Sequence, residues 1–101
     1  MKYIYVENYL KISREMKLEF LKFMYCFKRF KIINQKIVLN DNSLILELSV
    51  DSSFNIAKKS IDLFFKKNKD IKSFFTDRLL IEKNTLYLFN DNNLIKEVKL
   101  K

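Results

Sequence analysis

The chain has 101 residues, with 20 Lys and Arg against 12 Asp and Glu, no His, one Cys, and neither Gly nor Pro. A single domain of this length buries enough surface to stand without staples, and one Cys without any His offers neither a disulfide nor the usual zinc ligands. Lacking Gly, the chain cannot build a P-loop, a dinucleotide-binding turn, a KH loop or the glycine-bearing RNP motif.

No apolar run approaches membrane-spanning length and no signal-like leader is visible, so a reducing, cytoplasmic setting is expected. The residues with GC-rich codons are the depleted ones, as in an AT-rich genome. Part of the Lys excess is therefore compositional.

In chain order, Tyr3 to Val6 reads as a strand, with Tyr9 to Ile12 as a second short one after Glu7-Asn8. Ser13 is a helix N-cap, and Ser13 to Lys31 follows as the first helix. At about 100° per residue, Met16, Phe20, Phe23, Met24, Phe27 and Phe30 form its core stripe. The opposite side collects Arg14, Lys17, Lys22, Lys28 and Arg29, with Leu18, Leu21 and Tyr25 among them. Glu15 and Glu19 lie apart from these, on one flank beside Cys26.

Lys36 to Asn40 and Ser43 to Val50 read as a hairpin about Asp41-Asn42. Leu44, Leu46, Leu48 and Val50 alternate with Ile45, Glu47 and Ser49. Asp51, Ser52 and Ser53 are N-cap candidates for a second helix running to about Lys67. Phe54, Ala57, Ile61, Phe64 and Phe65 form its stripe, and a short helical continuation passes through Ile71, Phe74 and Phe75. The last quarter returns to strands at Leu79 to Glu82, Thr85 to Phe89 and Leu94 to Leu100. Lys83-Asn84 and Asp91 to Asn93 make the turns between them.

This order predicts a single α+β domain built as a two-layer sandwich. Two main helices cover one face of a mostly antiparallel sheet, in a ferredoxin-like core with an extra C-terminal hairpin.

The formal net charge of +8 is unevenly placed. Residues 14–31 carry +4, residues 58–72, with Lys58, Lys59, Lys66 and Lys67 among their lysines, carry another +4, and the remainder sums to zero. Helices this basic beside a neutral sheet point to an anionic partner. The leading expectation is a non-enzymatic protein contacting nucleic acid or a nucleoprotein complex. Lys and Arg heads would meet phosphates, and Tyr25 would stack on an unpaired base.

The alternative is a protein-directed inhibitor or adaptor of the phage or mobile-element type, acting as a monomer or as a homodimer. Its interface would then be the Leu18, Leu21 and Tyr25 patch. No cofactor or metal is implied: Asp41 and Asp91 belong to turns, Asp51 and Asp70 to caps, and Cys26 has no His to activate it.

Overall fold

The computed structural model of the chain describes residues 2–26, 32–49, 54–66 and 71–100. Its elements are β1 (Lys2–Val6), a 3-10 turn (Tyr9–Lys11), α1 (Arg14–Cys26), β2 (Ile32–Val38) and β3 (Ser43–Leu48). They continue with α2 (Phe54–Phe64), β4 (Ser73–Thr76), β5 (Arg78–Glu82), β6 (Thr85–Asn90) and β7 (Asn93–Lys99). Ser13 caps α1 as the sequence suggests: its side-chain oxygen accepts the Met16 N–H at 3.1 Å. The readings placed on Phe27 to Lys31, on the caps Asp51 to Ser53 and on Lys67 to Asp70 lie outside the described residues.

The first sheet has the strand order β2-β3-β1-β4, and every neighbouring pair is antiparallel. With βαββαβ as the order along the chain, this is the ferredoxin-like arrangement. Alternation assigns its two faces. Ile4, Val6, Leu44, Leu46 and Leu48 meet Phe20 and Met24 of α1 and Ala57 and Ile61 of α2 in one core, so both helices cover the same face. Tyr5, Ile45 and Phe74 point to the other face.

That other face is covered as well. The expected C-terminal hairpin is a three-stranded antiparallel meander, β5-β6-β7, and Leu79, Leu86, Leu88 and Val98 pack from it onto Tyr3, Tyr5, Ile45 and Phe74. A two-layer α+β sandwich thus carries a second sheet on its back. The sheets join at a corner, where the buried Thr76 hydroxyl bonds the Phe89 carbonyl and lies 2.9 Å from that of Arg78. The Asp77 N–H donates to the same Phe89 carbonyl at 2.9 Å. At the far side Lys96 of β7 reaches inward, 3.3 Å from the Glu7 carboxylate and 4.9 Å from the Phe74 ring centre.

Two local expectations are corrected. Ile71, Phe74 and Phe75 do not continue the second helix: β4 pairs with β1 over Tyr3 to Val6, which sends Phe75 to the helices and Phe74 to the second sheet. Adjacent phenylalanines are what a strand covered on both faces requires. Tyr9 to Ile12 is not a strand either. Asn8, at φ 60°, reverses the chain into the 3-10 turn, which buries Tyr9 and Ile12 in the helix-side core.

Two-residue turns close the meander without glycine. Lys83 and Asn84 (φ 51° and 61°) and Asp91 and Asn92 (φ 53° and 65°) all take positive φ, the type I′ geometry that matches strand twist. Asn and Asp tolerate it, whereas Lys83 carries a steric cost of about 1 kcal/mol.

Among the described residues, no helix is long and apolar enough to cross a membrane.

Candidate interaction surface of the helical layer

On α1 the outward side chains are those the helical wheel picks out: Arg14, Leu18, Leu21 and Lys22 are all exposed, Leu18 to 51%. Lys17 is different, because it is half-buried and its Nζ donates to the Leu10 carbonyl at 3.2 Å. Its charge ties α1 to the 3-10 turn. The Tyr25 side chain, Lys28, Arg29 and Lys67 lie outside the described residues.

On α2 the outward stripe is Ile56, Lys59, Leu63 and Lys66, with Leu63 68% exposed, while Ala57, Ile61 and Phe65 fill the core. This spacing alternates an aliphatic with a cation along one ridge. Lys58 leaves that ridge: it pairs with Asp62 and donates to the Ser73 hydroxyl at 3.3 Å, and Ser73 in turn bonds Asp62. Of the cations singled out from sequence, Arg14, Lys22, Lys59 and Lys66 are exposed, and Lys17 and Lys58 serve the fold.

The helices lie side by side. Phe64 of α2 sits 5.4 Å from Phe20 and 5.1 Å from Phe23, ring centre to ring centre, so the Phe23 flank of α1 faces α2. On the wheel Glu19 is roughly 40° and Glu15 roughly 80° from Phe23. Both exposed acids therefore lie on the side of α1 that turns toward α2. In place of one continuous basic surface there are two ridges of cations and aliphatics, with carboxylates on the flank between them. Leu21 falls on the far flank of α1, roughly 160° from Phe23.

Elsewhere polar groups are spent on structure. The Tyr5 hydroxyl, buried under the second sheet, donates to Asp41 and accepts from Ser43 at 2.7 Å, and Asp41 also accepts the Ser43 N–H at 3.2 Å. This pins the β2–β3 turn to β1. Burial first, and then the Asp41 carboxylate, hold the Tyr5 hydroxyl far above the ordinary value of 10.0, and burial alone raises Tyr9.

A proton held longer by the folded chain than by the unfolded one stabilises the fold below about pH 10 and ceases to do so as the pH climbs beyond it. A phenolate absorbance titration is expected to leave Tyr5 silent until the chain unfolds and to show Tyr9 ionising later than a free tyrosine. Tyr5→Phe should flatten the alkaline loss of stability. Ionisation of Tyr5 at the ordinary tyrosine value of about 10 in the folded chain would contradict this placement.

A cleft of about 170 Å³ remains between the sheets beside β2, lined by Tyr3, Val38, Ile45, Leu79, Ile81 and Leu86 among others. It is well below the roughly 300–1,000 Å³ of ordinary small-molecule sites. Two more open depressions, of about 320 and 310 Å³, hold the Lys58–Asp62–Ser73 and Tyr5–Asp41 groups, already bonded to one another. No group of three His, Cys, Asp or Glu placed to hold a metal occurs among the described residues.

One surface escapes a sequence reading altogether: the solvent side of the meander, where Leu80 and Leu94 stand exposed beside Tyr87 and Phe89. The available signal is in β6, where TLYLFN is apolar at consecutive positions rather than alternate ones. No protein family, curated protein or solved structure matches this chain.

Proposed function

We propose that the chain is a non-enzymatic binding protein, of the inhibitor or adaptor kind, that engages an acidic protein through the outer surface of its two helices. One observation carries this reading: Leu18 and Leu63 stand 51% and 68% exposed in the same helical stripes as Arg14, Lys22, Lys59 and Lys66. Burying a leucine is worth about 1.5–3 kcal/mol, and flanking cations steer an anionic partner and speed its encounter.

Nucleic-acid binding is the second reading, favoured by the concentration of the whole net charge of +8 in residues 14–31 and 58–72 of the sequence. Lys17 and Lys58 are occupied within the fold, and Glu15 and Glu19 lie between the ridges, which weakens a phosphate footprint.

The two readings respond differently to mutation. Tagged chain recovered from its own cells after cross-linking is expected to bring down an acidic protein. Leu18→Asp with Leu63→Asp should lower that recovery at least tenfold without altering the circular dichroism of the chain. Labelled single- and double-stranded DNA and RNA titrated at two salt concentrations test the second reading. Four phosphate contacts would weaken binding roughly a hundredfold between about 50 and 200 mM salt. Such a dependence, removed by reversing Lys22, Lys59 and Lys66 to Glu and indifferent to the leucine changes, would replace the protein reading with the nucleic-acid one.

A further inference from the structure

The central strand of the meander, β6, is apolar on both faces, and only one face is covered. Leu79, Leu86, Leu88 and Val98 pack inward onto the first sheet. By alternation and register, the solvent side presents three rows across the strands. These are Arg78, Phe89 and Leu94, then Leu80, Tyr87 and Glu97, then Glu82, Thr85 and Lys99. Leu80 and Leu94 are exposed, as is Ile95, the extra residue of a bulge in β7, while Tyr87 and Phe89 are half-buried. The guanidinium of Arg78 lies over the Phe89 ring at 4.2 Å. Strands that are apolar on both faces belong where both faces are covered.

Charge selects what covers this one. The chain carries a net +8, yet the outward face of the meander holds two cations, Arg78 and Lys99, and two acids, Glu82 and Glu97. It is therefore a neutral face on a strongly basic molecule. Two copies meeting through their helices would bring like charges together, whereas two copies meeting here would not.

We propose that this face is where two copies of the chain associate, sheet against sheet, about a twofold axis running parallel to β6. That axis lays β5 of one copy over β7 of the other. Row then meets row: Phe89 and Tyr87 face their own counterparts at the centre, and Glu82 faces Lys99 of the second copy, twice over. The face measures roughly 14 Å by 17 Å from strand spacing and rise. Its size places the dimer in the weak class, below about 1,200 Å² of total buried area. The inference is independent of the helical binding surface, which the dimer leaves open on both outer sides.

Sedimentation equilibrium over about 1 µM to 1 mM, the range in which a weak dimer dissociates, reads it directly. The unmodified chain should pass from monomer to dimer, and Leu80→Glu, which meets Glu97 of the second copy, with Leu94→Lys, which meets its Arg78, should raise the dissociation constant at least tenfold. Both positions are exposed, so circular dichroism should show the same fold. Lys99→Glu alone sets carboxylates against Glu82 and should weaken the dimer, and Glu82→Lys added to it should restore association. Leu18→Asp with Leu63→Asp should change nothing. A chain that stays monomeric throughout would overturn the proposal, and so would a dimer indifferent to the Leu80 and Leu94 changes. Failure of the charge exchange to rescue would overturn the twofold pairing.

Discussion

Replacing Phe20 with alanine is expected to destabilise the chain by about 3–5 kcal/mol, the largest loss of any single truncation in the helix-side core. Phe20 is 1% exposed, and its ring centre lies 5.1 Å from that of Phe65, 5.4 Å from Phe64, 5.8 Å from Tyr9 and 6.4 Å from Phe23. It thus joins α1, α2 and the 3-10 turn at one point. Domains of this kind have about 5–15 kcal/mol in total, so the change would remove a large share of the stability. Urea denaturation should show a lower midpoint at an unchanged slope, as expected for lost packing without a change in exposed surface. A loss below about 1 kcal/mol would mean that the aromatic cluster is not the keystone its geometry implies.

Leu88→Asp should be the second most damaging change, and it should act on the other core. Leu88 is fully buried where the meander meets the first sheet, with Leu86, Tyr5 and Ile45 in the same cluster. A carboxylate there has only Lys96 across the strand pair, already engaged with Glu7, so it must take up a proton, bring in water or draw Lys96 from Glu7, and several kcal/mol are lost in each case. The expected result is loosening of the meander. Amide exchange of β5 to β7 should accelerate by orders of magnitude, and a hydrophobic dye should bind the bared face around Tyr5 and Phe74. Protection of the meander equal to that in the unmodified chain would show that the sheets do not depend on this contact.

Much of the helical layer was readable before any coordinates. The spacing of Met16, Phe20, Phe23 and Met24 could face only a core, which left Leu18, Leu21, Arg14 and Lys22 outward, where they stand. Asn and Asp marked the turns in a chain without glycine, and Asn42, Asn84 and Asn92 take positive φ there. Long-range pairing was not readable. Phe74-Phe75 suits a helix edge as well as a doubly covered strand, and only β1, far away in sequence, decides between them. The engagement of Lys17 by the Leu10 carbonyl and of Lys58 by Asp62 and Ser73 likewise depends on where the chain folds back. Charge counted along a helix cannot tell a free lysine from one committed to such a contact.

The placement of β1 between β3 and β4 has a kinetic consequence. Its pairing joins Tyr3 to Glu47 on one side and to Thr76 on the other, so the earliest strand gains β3 near mid-chain and β4 only after most of the chain has been made. The meander, by contrast, consists of neighbours joined by two-residue turns, and such hairpins close in about 1–10 µs. The slow step in folding should therefore be the docking of β4 beside β1, a closure over nearly the whole core, with the meander forming early and waiting. Ribosome-bound chains lacking β4 would carry β1 with an open edge, and that interval is when this sequence is most exposed to aggregation.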